Sequence, residues 1–533
     1  MKKLLLLTFI FSLLIANAQT PITATIGYQG YDETQAYFGE AEYQILLDNV
    51  DGVLDKPIIL VEGFDPSDQR GFAGMYNLLN FNGQNLGDTL RDEGFDFVLL
   101  NFPTYTRASD GQTVNGGADY IQRNAMVLTE LINQINNQKV GSEELVIVGP
   151  SMGGLIARYA LRYMEQNAMN HETRLYVSWD TPHYGANTPI GMQYFLNYIA
   201  ESQDLQDLKD VINNTFNSPA GKEMLIDHFA AHLQSGSTFE QDPNILLPTG
   251  ATNFRNAFQS ELDAMGFPQN TRNVAIANGA ANGTGTGTPG MEIINHTFDL
   301  GNSLTADVTL HFTPVANQSI VVTDIAVLYL GFIPVSSYNA NSLSPVATDG
   351  VDAAPGGKLN LQTFGNATSG NALLDEFVNN LSQSEYCFLP TISALAINEA
   401  NWYAIPDSNN SPFDAWSVPN VNEEHVTLNQ QNVDFTLAEI RNATGNSNDE
   451  VLINRYKIKE NPIQNKLTIL LDNTLQYQQI TLNIISVTGQ KVFSKKYASA
   501  TNTIDIPLNL EKGVYFLNIS DTFGQFSSKL VVR

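Results

Sequence analysis

Short runs of consecutive apolar residues recur along the chain as far as residue 277. They occupy 58–61, 97–100, 145–148, 175–177 and 274–277. Runs this continuous are typical of strands that are buried on both faces of a sheet. Between the second and third runs, Ile121, Ala125, Leu128 and Ile132 recur at helical spacing, which predicts an amphipathic helix within 118–135. The order of strand, helix and strand predicts an α/β domain with a mostly parallel sheet and helices on both faces.

The hydrophobic pattern changes in two later segments. Residues 305–314 and 319–330 alternate apolar and polar side chains, which predicts a pair of β-hairpins in a β-rich insertion at about 290–370. Before them, residues 190–199 carry an apolar stripe at helical spacing. This stripe is compatible either with a lid over an active site or with a helix that packs in the core.

The last part of the chain has a strand pattern of its own. Short β-runs lie at 466–471, 480–487, 491–495, 513–517 and 529–533. Strands at this even spacing predict a small C-terminal β-sandwich. The polar stretch 444–450 begins the segment that separates it from the rest. We therefore expect an α/β domain over 19–443, a linker over 444–458 and a C-terminal domain over 459–533.

The first eighteen residues have the features of a secretory signal peptide. Two lysines are followed by an apolar run over 4–15 and then by Ala16-Asn17-Ala18, so cleavage is expected after Ala18. The apolar run is too short to span a bilayer, and no later run is long enough, so no transmembrane segment is predicted. A single cysteine, Cys387, excludes an internal disulfide, and its apolar neighbours predict that it is buried.

Composition and motifs exclude several classes of partner. The formal net charge is −28 and only 15% of residues are charged, which argues against nucleic acid and anionic membrane surfaces as partners. The pair His171-Glu172 lacks the second histidine of a metalloprotease motif. No dinucleotide-binding fingerprint is present either. We therefore expect neither a metal nor a cofactor.

The motif with the clearest chemistry follows the run at 145–148. The sequence Gly149-Pro150-Ser151-Met152-Gly153 leads from a predicted strand into a predicted helix, and Gly154 adds a third glycine. This is the pattern of the nucleophile elbow of α/β-hydrolases, in which the turn is so tight that glycine is needed two residues on either side of the serine. The pattern predicts Ser151 as a nucleophile.

A serine nucleophile needs an oxyanion hole. The helix that begins after Ser151 directs free backbone N–H groups at the point of attack, and we expect the Met152 N–H to be one donor. The second is expected from the glycine-bearing loop after 58–61, where Phe64 follows Glu62-Gly63. Glu62 stands where histidine is common in this loop, but a backbone donor does not depend on that side chain.

The serine also needs a base and an acid. In this fold the base comes last in the chain, which favours His425. It is located after the last β-run, which is predicted over 388–395, and before the linker. His183 is the alternative base. For the acid, Asp180 comes at the end of the predicted strand around 175–177, the next strand after the one that leads into the elbow. The strand at 274–277 ends without a carboxylate. Asp180 is therefore favoured as the acid, and Asp352 and Asp414 remain open.

Two segments carry family resemblances. The loop Thr181-Pro182-His183-Tyr184-Gly185 resembles that of the GPI-inositol-deacylase-like group among the lipases of the α/β-hydrolase fold, over roughly 57–425. This resemblance implies that His183 is structural and that the substrates are carboxylic esters of lipids. In addition, the tail resembles the type A C-terminal sorting domain of the type IX secretion system. The resemblance lies in its Asn461-Pro462 start, its Gly489-Gln490 turn, its Leu-x-x-Gly-Val-Tyr-Phe pattern over 510–516 and its basic last residue. That resemblance implies the type IX secretion machinery as a partner and a secreted or cell-surface location.

Together these features lead to one functional hypothesis with two alternatives. We expect a secreted serine hydrolase that cleaves esters through an acyl-enzyme. An amidase or peptidase on the same three residues is the first alternative, because the motifs do not distinguish the acyl group. The second is a secreted binding protein or adhesin that keeps the fold without catalysis.

Overall fold

The structure, a computed structural model, describes residues 19–362, 372–442, 456–459, 461–471, 477–486, 490–500, 503–521 and 524–533. They form two compact units, of which the first ends at Asn432 and the second begins at Val433. The predicted signal peptide lies outside the described residues, as does most of the predicted linker.

The first unit combines strands and helices along its whole length. In chain order its strands are β1 (Thr20–Thr23), β2 (Glu40–Leu46), β3 (Pro57–Val61), β4 (Asn80–Phe81), β5 (Gln84–Asn85), β6 (Asp96–Asn101), β7 (Thr104–Thr106), β8 (Thr113–Asn115), β9 (Leu145–Pro150), β10 (Thr173–Trp179), β11 (Arg272–Ile276), β12 (Glu292–Gly301), β13 (Leu304–His311), β14 (Ser319–Tyr329), β15 (Ile333–Leu343), β16 (Gly356–Asn360), β17 (Glu385–Pro390) and β18 (Ala415–Ser417). Its α-helices are Gly71–Asn77, Leu86–Asp92, Ile121–Gln138, Met152–Gln166, Ile190–Ser202, Gln206–Asn214, Pro219–Met224, Arg255–Met265, Ala372–Asn379 and Thr391–Ala394, and Gln430–Arg441 crosses the boundary between the units.

An eight-stranded sheet forms the centre of this unit, in the order β1-β2-β6-β3-β9-β10-β11-β18. All neighbours from β6 to β18 are parallel, whereas β1 and β2 are antiparallel additions at one edge. The predicted α/β fold with a mostly parallel sheet is therefore confirmed. Because β3, β9, β10 and β11 are parallel, the loops that follow them meet at one edge of the sheet.

The strands of this sheet are apolar because helices cover it. Every residue of β3, β6 and β9 is buried. The helix Ile121–Gln138 packs in the same core cluster as the helix Met152–Gln166, which we call the elbow helix. The amphipathic spacing in the sequence thus corresponds to a helix that buries its apolar face against the sheet.

Three glycines permit the close packing around the start of the elbow helix. A β-carbon at Gly149 would lie 2.5 Å from the Cα atom of Gly154, and one at Gly153 would lie 2.5 Å from the carbonyl oxygen of Val61. A β-carbon at Gly154 would lie 1.9 Å from Oγ1 of the buried Thr181. The elbow helix can therefore approach β3 and the loop after β10 only without side chains at these positions.

The predicted hairpins form a separate four-stranded antiparallel sheet, in the order β12-β13-β14-β15. The helix Ile190–Ser202 packs against this sheet and buries residues 190–200. Its apolar stripe therefore belongs to the core, which favours the packing alternative over a lid. The sheet ends at Leu343, and from Gly356 the chain pairs as β16 with β17.

The second unit contains two antiparallel sheets around one apolar core. Its strands are β19 (Tyr456–Ile458), β20 (Lys466–Leu471), β21 (Tyr477–Ser486), β22 (Lys491–Ala500), β23 (Thr503–Pro507), β24 (Gly513–Asp521) and β25 (Gly524–Val532). They pair in the orders β19-β20-β23 and β22-β21-β24-β25. Buried residues of both sheets, such as Leu467 and Leu482, belong to one cluster, so the predicted sandwich is confirmed. Strand β19 falls in the segment expected to be linker.

Over the described residues, the helices are all too short or too polar to cross a membrane. Cys387 is buried within β17.

We predict that Gly154→Ala lowers the free energy of unfolding by about 1–3 kcal/mol, because the added methyl group overlaps buried Thr181. Urea unfolding followed by circular dichroism measures the change. Gly27→Ala is the matched control, since a β-carbon there would come no closer than 3.4 Å to another atom. Equal unfolding midpoints for the two variants would contradict the prediction.

Candidate active site

Ser151 lies at the sharp turn between β9 and the elbow helix. Its backbone is left-handed, with φ 52° and ψ −128°, and its N–H donates to the carbonyl oxygen of Trp179 at 2.8 Å. A serine before a helix usually caps it through its hydroxyl group. The Ser151 side chain makes no capping bond. Its hydroxyl group is therefore held outside the helix, at the carboxyl edge of the sheet.

The structure brings Ser151, His425 and Asp180 into one hydrogen-bonded series. Nδ1 of His425 lies 2.7 Å from Oδ2 of Asp180, and Nε2 of His425 lies 2.9 Å from Oγ of Ser151. A carboxylate only accepts hydrogen bonds, so Nδ1 carries the ring hydrogen and Nε2 accepts from the serine hydroxyl group. Asp180 is fully buried, and the His425 side chain is 9% exposed.

Asp180 is fixed by contacts with neighbouring strands. Its backbone is left-handed, with φ 47°, and its N–H donates to the carbonyl oxygen of Ile276 at 2.7 Å. Its second carboxylate oxygen accepts the N–H of Asn278 at 2.9 Å. A β-carbon at Gly357 would lie 2.3 Å from the carboxylate, so the backbone of β16 covers it closely. The acid is thereby kept from water with one oxygen directed at His425.

Asn278 also holds the loop that carries His425. Its side-chain amide donates to Glu423 at 3.0 Å and to the carbonyl oxygen of Thr427 at 2.7 Å, while its Oδ1 accepts the N–H of Thr427 at 3.3 Å. These bonds reach both sides of His425. Asn278 is completely buried. Sequence reasoning considered the end of this strand only because it lacks a carboxylate. The one signal for the role of Asn278 was its location at the end of β11.

Two further contacts orient His425. Its backbone N–H donates to the carbonyl oxygen of Lys358 at 2.9 Å. The ring of Phe388 meets the imidazole edge to face, with centroids 4.8 Å apart. The imidazole plane is thus defined by an aromatic neighbour in addition to its two hydrogen bonds.

His183, the alternative base, lies away from Ser151 and is completely buried. Nδ1 of His183 lies 3.4 Å from a guanidinium nitrogen of Arg158, and Nε2 lies 2.9 Å from Oγ of Ser178. Burial and the positive charge of Arg158 hold the pKa of His183 well below its usual value. Its ring is therefore neutral, and it links the elbow helix to β10.

The two alternative acids have other partners. Asp352 is buried, and its carboxylate accepts from the backbone N–H of Thr313 at 2.7 Å and from Asn187 at 2.9 Å. Burial raises its pKa. Asp414 accepts the N–H of Asn273 at 2.8 Å, near the opposite end of β11 from Asn278. No hydrogen bond or ion pair with His425 is present at either aspartate in the described structure.

Met152 and the loop that carries Phe64 both lie next to Ser151. Met152 is the first residue of the elbow helix, so its N–H has no acceptor within that helix. A β-carbon at Gly63 would lie 3.2 Å from Cβ of Ser151, which places the loop after β3 against the elbow. The carbonyl oxygen of Phe64 accepts from the Arg70 guanidinium at 2.9 Å, and the N–H of Asp65 donates to Gly117 at 3.0 Å. These bonds fix the peptide group between Phe64 and Asp65, next to the one that carries the Phe64 N–H.

Glu62 is a buried carboxyl group beside this loop, with 1% of its surface exposed. One oxygen accepts the N–H of Phe102 at 2.7 Å. The other has no hydrogen-bond partner among the described residues. Burial raises the pKa of Glu62 to about 8, so the group is protonated at neutral pH. A neutral acid places no negative charge next to the expected oxyanion hole.

Among the described residues, no three His, Cys, Asp or Glu side chains are arranged to hold a metal ion.

Two family models match the chain. One, described as a PGAP1-like alpha/beta domain, matches residues 53–218. The other, described as a secretion system C-terminal sorting domain, matches residues 460–533. The chain therefore carries a PGAP1-like α/β domain and a type IX sorting domain, and it is a secreted or cell-surface protein of the α/β-hydrolase fold. Comparison with curated proteins found no match.

Several solved structures are similar to parts of this chain. Est1E from Butyrivibrio proteoclasticus aligns at 9% identity over 44% of this chain and 72% of its own, with a TM-score of 0.24. An esterase from Pyrobaculum calidifontis aligns at 10% identity over 50% of this chain and 70% of its own, with a TM-score of 0.25. Dimeric latent PorU from Porphyromonas gingivalis aligns at 17% identity, with a TM-score of 0.12, over 14% of this chain and only 9% of PorU. At these low identities and TM-scores, the similarity gives no information about the substrate of this chain.

We predict that Glu62→Gln makes stability less dependent on pH. The pKa of Glu62 is raised from 4.5 to about 8, so its contribution to stability is full below pH 4.5 and is lost as the pH rises through 8. The wild type should therefore lose stability between pH 5 and 9, and the variant should lose less, by a difference on the order of a few kcal/mol.

Thermal unfolding across this pH range measures the effect. Glu143→Gln, at an exposed glutamate, is the control and should follow the wild type. Parallel pH profiles for the wild type and Glu62→Gln would refute a buried neutral carboxyl group.

Proposed function

We propose that this protein is a secreted serine hydrolase that cleaves carboxylic esters, with esters of lipids as its substrate class. The observation that carries the proposal is the pair of hydrogen bonds that join Asp180 to His425 at 2.7 Å and His425 to Ser151 at 2.9 Å. Ser151 follows β9, Asp180 follows β10, and His425 lies in the loop after β18. The three converge at the edge of the sheet where α/β folds bind ligands.

In the proposed reaction, Oγ of Ser151 attacks the ester carbonyl carbon while Nε2 of His425 takes the hydroxyl proton. Asp180 holds the imidazole in the tautomer with the hydrogen on Nδ1 and stabilises the positive charge that the ring acquires. The protonated His425 then gives its proton to the leaving alcohol oxygen. A water molecule, deprotonated in the same way, attacks the acyl-enzyme and releases the acid.

The N–H groups of Met152 and Phe64 are the proposed donors to the oxyanion in both steps. Fixed donors of this kind stabilise the charge where it develops, without reorganisation during the reaction. The protonated Glu62 supports this arrangement because it adds no competing negative charge.

Lipid esters are proposed on two grounds. The Thr181–Gly185 loop resembles that of the GPI-inositol-deacylase-like group, and a PGAP1-like domain matches residues 53–218. In addition, two aromatic side chains are only partly buried: Phe64, in the loop that lies against the elbow, and Phe388, which contacts His425. Such rings favour an apolar acyl chain over a polar group.

We predict that Ser151→Ala lowers ester turnover by at least about a thousandfold and abolishes labelling by a fluorophosphonate, because the nucleophile is removed from an intact scaffold. Hydrolysis of nitrophenyl esters of graded acyl length and gel detection of the label measure both effects. Ser142→Ala, at an exposed serine before β9, is the control and should keep full activity. Equal labelling of the Ser151 variant and the wild type would rule out Ser151 as the nucleophile.

A separate prediction concerns the acid. Asp180→Asn should lower turnover by roughly ten-thousandfold, because the amide donates to Nδ1 and reverses the tautomer that the base needs. Asp352→Asn and Asp414→Asn, compared on the folded fraction, should stay within about a factor of ten. A collapse in either of these variants together with an active Asp180→Asn enzyme would assign the acid to that other aspartate.

A further inference from the structure

The hairpin of β14 and β15 ends in an exposed apolar segment that the proposed chemistry does not use. Residues 329–335, which we call the hairpin tip, read Tyr-Leu-Gly-Phe-Ile-Pro-Val. All seven are exposed, with Phe332 at 72%, Val335 at 57% and Leu330 at 52% of their surface. No charged side chain occurs between 325 and 338.

The hairpin tip lies at the end of its supporting sheet and on the outer edge strand. The neighbouring strand β13 pairs with β14 only as far as Leu304 opposite Tyr329. Below this level, Ile325, Val327 and Tyr338 are buried in the core of the first unit. From Tyr329 onward, every consecutive residue is exposed as far as residue 337. Residues 330–332 form the turn, and Pro334 and Ser336 pair with Leu328 and Val327 along the outer edge of the sheet. Because successive residues of a strand point to opposite faces, both faces of the tip lack a covering layer.

The turn at the hairpin tip also departs from the usual turn residues. Leu330 has a left-handed backbone, with φ 55°, and Gly331 follows with φ 75°. Such positions favour Asn, Asp or Gly, and leucine is disfavoured there. The Leu330 N–H donates to the carbonyl oxygen of Ser303 at 2.7 Å, which keeps the turn in place. An apolar side chain is thus presented outward where a polar one would suit the backbone better.

We propose that the hairpin tip inserts into the apolar region of a lipid surface whose head groups are zwitterionic or uncharged, and that it holds the protein at that surface. A protein groove contacts one face of a β-ribbon, whereas the acyl region of a lipid layer surrounds an inserted segment on all sides. The exposure of both faces therefore favours a lipid layer. The Tyr329 ring, at the base of the tip, has the amphipathic character that suits the head-group level.

Charge determines which lipids the hairpin tip fits. Between Asn273 and Gly357 the chain contains no lysine or arginine, and the whole protein has a net charge of −28. Anionic head groups attract segments rich in basic residues and repel acidic proteins. Insertion must therefore depend on the apolar side chains, and anionic lipids should weaken it.

Vesicle flotation with the exported chain, beginning at Gln19, tests the proposal. All proteins carry Ser151→Ala, so that hydrolysis does not affect the vesicles and failure of the proposed catalysis would leave this measurement unchanged. With phosphatidylcholine vesicles, Phe332→Asp should lower the partition coefficient by roughly tenfold or more, because a large apolar side chain is lost from the inserted segment. Val346→Asp is the matched control, since Val346 is 78% exposed but lies outside the hairpin tip.

A second measurement reports insertion directly. With Phe332→Trp, the tryptophan emission should shift to shorter wavelength when phosphatidylcholine vesicles are added, and phosphatidylglycerol in the vesicles should reduce the shift. Equal flotation of Phe332→Asp and Val346→Asp, or no flotation of the parent protein, would overturn the proposal. Formation of dimers that Phe332→Asp abolishes, without vesicle binding, would assign the tip to a second copy of the chain instead.

Discussion

The left-handed backbone at Ser151 and Asp180 is the constraint on which the candidate site depends. Pro150, the residue before Ser151, lies opposite Trp179, the residue before Asp180, in the pairing of β9 with β10. The side chains of Ser151 and Asp180 therefore leave the sheet at the same level. Such backbone costs about 1–2 kcal/mol per residue outside glycine and persists only where the surroundings enforce it. Here each N–H bonds to the adjacent strand, and the glycines of the elbow let the helix approach closely.

A loop without regular secondary structure delivers the third member, and its order comes from satisfied polar groups. Asn278 forms hydrogen bonds with residues on both sides of His425, and the carbonyl oxygen of Lys358 accepts the backbone N–H of His425. Glu423 accepts from Asn278 with one oxygen and from Asn429 with the other at 2.6 Å. Buried polar networks of this kind hold one geometry when every member has a partner. The end of β11 thus supports the base through an amide, while the acid is contributed by β10.

Sequence reasoning predicted the sheet well because continuous apolar runs correspond to strands covered on both faces, as in β3, β9 and β10. It was less accurate after β16: the run 388–395 was expected to be strand, but β17 ends at Pro390 and a short helix follows. Glycine spacing indicated Ser151, and chain order indicated His425. Strand order favoured Asp180 as the acid but left Asp352 and Asp414 open, since hydrogen-bond partners far apart in the chain leave no local pattern. For the same reason Asn278 was not recognised as a support for the loop.

The separation of the three residues along the chain has a consequence for biosynthesis. Ser151 and Asp180 sit on adjacent parallel strands, whereas His425 lies 274 residues after the serine and 245 after the aspartate. Contacts this distant in sequence form late, because a long loop must close first. Under the proposed mechanism, a chain that is still being translated or exported therefore has a nucleophile and an acid but no base. Activity would begin only when the segment around His425 docks, so the order of folding would keep a partly synthesised chain inactive.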